Sequence, residues 1–89
     1  MTYQEILHEI GYWLDKDSLN RSQYEMLGKL VMIFCDEFTA KWPPYVDAML
    51  IAVTRKMNLF ACECDAKDFV NEVKASIEGA VHRQSELKT

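Results

Sequence analysis

The chain has 89 residues, with 14 acidic against 10 basic side chains and a formal net charge of −4. That length suits a single domain spanning residues 1–89, with one core that buries about 60–65% of the surface its unfolded form exposes; this leaves no room for a deep enclosed active site. The acidic balance argues against nucleic acid as a partner, since Arg55-Lys56 is a poor basic footprint for a phosphate backbone, and it favours a basic protein instead.

Three glycines and two prolines are too few for a turn-rich β architecture and favour helix. Thr2-x-x-Glu5 has the form of a capping box and opens a first helix predicted over Tyr3 to Leu14. Its stripe is Tyr3, Ile6, Leu7, Ile10, Trp13 and Leu14, and Gly11 inside it suggests a close helix contact. A polar connection, Asp15 to Arg21, follows, with Leu19 turned inward.

Ser22-x-x-Glu25 repeats the capping pattern and opens a second helix that the apolar pattern carries to Trp42. Its stripe is Tyr24, Leu27, Leu30, Val31, Phe34, Cys35, Phe38 and Trp42. The unbroken run Leu30 to Cys35 requires cover on more than one side. Met26, Met32 and Ile33 fall outside the stripe and form a second packing face or a dimer seam.

Pro43 forces Trp42 out of helical geometry, and Pro44 suits the first turn of a third helix. That helix is predicted from Pro44 to about Met57, burying Tyr45, Val46, Met49, Leu50, Val53 and Met57, with Asn58 as its cap. Leu59 to Cys64 reads either as one more turn or as an extended tie. Asp65, with Asp68, is expected to cap a fourth helix with the stripe Phe69, Val70, Val73, Ile77, Ala80 and Val81. Gln84 to Thr89 is expected to fray. The fold class is therefore all-α, a compact four-helix bundle with short connections.

No apolar run approaches the ~20 residues that span a bilayer, so no membrane role is expected. The start Met1-Thr2-Tyr3-Gln4-Glu5 lacks the basic and apolar regions of a secretory signal, and three cysteines without one fit reduced thiols in the cytoplasm. Cys62-Glu63-Cys64 has neither the spacing nor the four ligands of a structural zinc site, so no metal and no cofactor are expected. His8 between Glu5 and Glu9, and His82 near the end, belong to no catalytic motif, and no glycine-rich phosphate loop or nucleophile elbow is present; the chain is not expected to be an enzyme.

Carboxylates carry the functional expectation. Asp65, Asp68 and Glu72 are placed on one face of the fourth helix with Glu63 just ahead, and Asp36-Glu37 follows the apolar run of the second. Helix capping accounts for part of this, for Asp65 and Asp68 above all, and all six are candidate contacts to lysines or arginines of a partner. Trp42 and Tyr45, at a helix junction, are candidate aromatic anchors. The function expected is a small acidic inhibitor or regulator that neutralises a larger basic protein, with a homodimeric adaptor as the alternative. In size, acidity and helical class the chain is similar to some immunity proteins that block nuclease toxins, a brief shared by antitoxins and phage-encoded inhibitors. That likeness is one of class and transfers no residue roles.

Overall fold

Four helices, α1 (Tyr3–Leu14), α2 (Arg21–Glu37), α3 (Pro44–Cys64) and α4 (Lys67–Leu87), make up a computed structural model that describes residues 2–87. α1 has the predicted bounds because its cap is local: Thr2 Oγ1 accepts from the Glu5 N–H at 3.2 Å, and Glu5 Oε1 accepts from the Thr2 N–H at 3.3 Å. Ile6 and Ile10 are buried beneath it. Gly11 makes no close helix contact, since a Cβ built there meets nothing within 4 Å.

α2 begins earlier than Ser22. Asn20 is its cap, with Oδ1 accepting from the Gln23 N–H at 2.9 Å and Gln23 Oε1 accepting from the Asn20 N–H at 2.8 Å. Leu19, just before the cap, and Tyr24, in the next turn, are both buried at the positions of a hydrophobic staple, which fixes the chain's entry at Asn20. Glu25 instead pairs with Arg21 at 3.4 Å.

α2 also ends sooner, at Glu37, whose carbonyl accepts a hydrogen bond from the Tyr3 hydroxyl at 2.7 Å. Residues 38–43 are not helical. They carry the chain across to α3 and bring Trp42 back into the core, stacked on Phe34 at 5.8 Å between centroids.

α3 is one continuous helix through Cys64, so Asn58 is an exposed mid-helix residue and no cap, and Leu59 to Cys64 adds further helical turns. Phe60 accounts for the extension: it is fully buried and stacks face to face on Tyr24 at 4.8 Å. Tyr45 is not buried but 58% exposed. Asp65 ends α3 in left-handed geometry, φ 51° and ψ 45°, rather than capping α4, which starts at Lys67. In α4, Val81 points outward, and Gln84 does not fray: it is 4% exposed within a helix that runs to Leu87. Lys88 and Thr89 lie outside the described residues.

Long-range contacts fix the directions. Tyr3 meets Glu37, Tyr24 meets Phe60, and Lys56 Nζ donates to the Lys16 carbonyl, so α1 and α3 run one way and α2 the other. Phe69 lies against Gly28, and Arg83 donates to the Cys35 carbonyl, so α4 runs parallel to α2. α2 and α3 form the central pair, α1 and α4 each pack on both, and α1 does not pack on α4. The run Leu30 to Cys35 is covered on several sides in this way: Val31, Phe34 and Cys35 are fully buried, while Ile33 alone in the run faces outward.

Candidate functional site

The parallel pairing of α2 and α4 creates an edge that no helix covers. A Cβ on Gly28 would lie 2.6 Å from the Phe69 ring and 3.0 Å from Val73, so the glycine lets the two helices approach closely there. Side chains one step outward on each helix then face each other across a shallow hollow of about 340 Å³. Asp65 and Asp68 line it from the α3–α4 joint, and Arg21, Glu25 and Lys29 line it from α2.

Helical spacing extends this edge downward. Glu72 is one turn beyond Asp68 and exposed, and Asp36 is two turns beyond Lys29 and exposed. Near the far end the Arg83 guanidinium is held by the Cys35 carbonyl. The edge therefore carries five carboxylates, Glu25, Asp36, Asp65, Asp68 and Glu72, against the three cations Arg21, Lys29 and Arg83, with Arg21 engaged by Glu25 and Arg83 by the Cys35 carbonyl. The field of such a strip is negative and suits lysine and arginine side chains.

Other predicted contact residues go elsewhere. Glu63 lies two turns beyond Lys56, on the row that faces α1, where its charge, after burial itself, helps to raise the Tyr24 hydroxyl above its ordinary value. Glu37 is one turn beyond Ile33, on the side of α2 away from α4. Trp42 is no surface anchor: it is core, 5% exposed, with Nε1 donating to Asp47 Oδ1 at 3.0 Å. Tyr45 stays at the surface, in the first turn of α3.

The apolar trio Met26, Met32 and Ile33 does not form one face. Met26 and Ile33 are exposed on either side of Leu30. Met32, one turn beyond Gly28, turns toward α4 and packs against the core.

Sequence reasoning passed over Arg21, Glu25 and Lys29. The sequence shows them as an i, i+4 row of alternating sign, which only their neighbours across the groove distinguish from an ordinary solvated face. The cysteines are all free. Burial first, and then the neighbouring Asp36 carboxylate, push the Cys35 thiol up to about 12, against a smaller opposing pull from Arg83. Cys62 is exposed and Cys64 half-buried. Among the described residues, no cluster of three or more His, Cys, Asp or Glu side chains could hold a metal ion, and no helix is long and apolar enough to cross a membrane. His82 pairs with Glu86 at 3.0 Å, and His8 lies exposed beside Glu5 and Glu9 over a shallow hollow on α1. Comparison with protein-family models, with curated proteins and with solved structures gave no match to this chain.

Proposed function

We propose that this protein is a binding module that inhibits or regulates a larger basic protein by laying the α2–α4 edge against its basic surface. The observation that supports this reading most is that Asp65, Asp68 and Glu25 line one open hollow, with Glu72 and Asp36 further along the same rows of α4 and α2 by helical spacing. The strip is a surface, not an enclosed cleft, which suits recognition of a protein face rather than chemistry on a small substrate. Carboxylates placed so would accelerate encounter with a basic partner and reject acidic ones.

The test is capture from native cells on tagged full-length protein. Asp65, Asp68 and Glu72 are replaced together by lysine in one variant, and Asp17, Glu37 and Glu63 in a second variant of equal net charge. A basic protein held by the wild type and the second variant, lost by the first and released by salt, is the expected result. Equal retention by both variants would refute the role of this edge, and a purely charge-driven loss in both would refute its specificity.

A further inference from the structure

α3 differs from α4 in what it shows to solvent. From Tyr45 to Cys62 its exposed residues are mostly apolar or small, Tyr45 at 58% exposure, Ala48, Ile51 at 56%, Leu59 at 53% and Cys62, with Asn58 the one strongly polar neutral side chain and Arg55 the one charge among them. The outward face of α4 is instead dominated by charged and polar side chains. A surface helix ordinarily carries its charge on the face away from the core, so the bare face of α3 requires a cover.

Its two flanking charges indicate what covers it. Asp47 and Arg55 stand four residues before and four residues after Ile51, with opposite signs. If a second α3 lies antiparallel across the first with the two Ile51 side chains opposed, each Asp47 meets the other copy's Arg55. A parallel arrangement would set like charges together. Asp47 holds Trp42 Nε1 with Oδ1, which leaves Oδ2 for a second donor. Beside Ile51 a hollow of about 350 Å³ opens between α3 and α4 over Leu50, Thr54, Ile77 and Val81, and Val81 at its rim is 44% exposed. It offers the incoming copy's Ile51 an apolar seat.

We infer that the occupant of this face is a second copy of the chain, docked antiparallel along α3 about a two-fold axis at Ile51. The arrangement is isologous, so one patch serves both subunits. A helix of 21 residues is about 31 Å long, and because a specific interface starts at roughly 1,200 Å² in total, the seam draws on the adjoining flank of α4 as well. The seam lies on the α3 side of α4, whereas the acidic edge lies on the α2 side. A dimer would therefore display two acidic edges, and the inference stands apart from the proposed binding role.

Sedimentation equilibrium of the full chain, up to about 1 mM, reads the outcome directly. The expected result is a species of twice the 10.4 kDa chain mass, reduced to the single chain by Ile51→Glu and weakened about tenfold or more by Arg55→Asp. Both positions are exposed, and unchanged helical circular dichroism and melting of the variants will confirm an intact fold. In a Cys62→Ser, Cys64→Ser background, Ile51→Cys should oxidise to a covalent dimer, and Ile33→Cys should not, because only a residue on the axis faces itself. A single-chain mass throughout, a dimer indifferent to Ile51→Glu, or preferential cross-linking through Ile33→Cys would each overturn the inference.

Discussion

Gln84 and Trp42 are joined by a buried hydrogen bond across 42 residues of sequence: the Gln84 Oε1 accepts from the Trp42 backbone N–H at 2.9 Å. The same amide donates through Nε2 to the Ala40 carbonyl at 2.6 Å. One side chain from the last turns of α4 thus satisfies two backbone groups of the α2–α3 connection, which has no helical partner for them.

Replacing Gln84 by alanine leaves the Trp42 N–H unpaired in a buried setting and takes the amide donor from the Ala40 carbonyl at a more open position. A loss of about 1–3 kcal/mol is expected. Thermal unfolding should then shift down by about 4–8 °C for each kcal/mol lost in a domain this small. Unchanged melting would mean that the connection does not depend on this amide.

The glycines of α1 and α2 respond oppositely to alanine. At Gly11 nothing lies within reach of a new Cβ, and the substitution should add about 0.5–1 kcal/mol through helix propensity. At Gly28 the Cβ would sit 2.6 Å from the Phe69 ring, which is itself set edge-on to Phe60 at 6.1 Å. A net loss of about 1–2 kcal/mol is expected, recovered in part when Phe69→Leu is added; denaturant titration of the single and double variants measures this coupling.

The start of α2 is decided by Asn20 and not by Ser22. Asn20→Ala should cost about 1 kcal/mol, and Ser22→Ala should change stability by less than about 0.5 kcal/mol. Chemical denaturation of the pair distinguishes the two caps.

Asp65 has a structural role that can be separated from the recognition role proposed for it. In left-handed geometry glycine carries no Cβ penalty, so Asp65→Gly should stabilise the fold by up to about 1 kcal/mol. It also removes one carboxylate from the acidic edge and should weaken capture of a basic partner. Melting temperature and partner retention should move in opposite directions.

Cys35 makes the fold sensitive to alkali. Its thiol, ordinarily near 9.0, is pushed up to about 12 in the folded chain, so the unfolded chain gives up that proton first as pH rises. The stabilising difference is intact below pH 9 and is lost progressively as pH climbs toward 12. Tyr24, raised by burial and by Glu63, adds to the decline above pH 10. Cys35→Ala should flatten the stability profile above pH 9, and a thiol reagent at pH 8 should modify Cys62 in the native chain but reach Cys35 only on unfolding.

Helix content, the limits of α1 and most core positions were legible because they depend on spacing and on caps within one turn. Ile6, Ile10, Leu27, Val31, Leu50, Val53, Val70 and Val73 are buried where periodicity puts them. The limits of α2 and α3 were not legible, because distant partners set them: Tyr3 closes α2 at Glu37, and Tyr24 draws Phe60 and its helical turn inward. The same holds for the site. Asp65 and Asp68 could be singled out as carboxylates, but not that Arg21, Glu25 and Lys29 would stand beside them.

By itself, then, the sequence determined an acidic, helical chain with the residues to build one core, since composition and periodicity act locally. Only the tertiary structure decided that α2 and α4 run parallel through contact at Gly28. That packing choice leaves Glu37 on the other side of α2 and sets Asp65 and Asp68 beside Glu25, whereas the 38–43 connection buries Trp42 against Phe34. The reason is physical: a charge's position on a helix is fixed by local geometry, but its neighbours across a groove are fixed by which helices bury their apolar faces against each other.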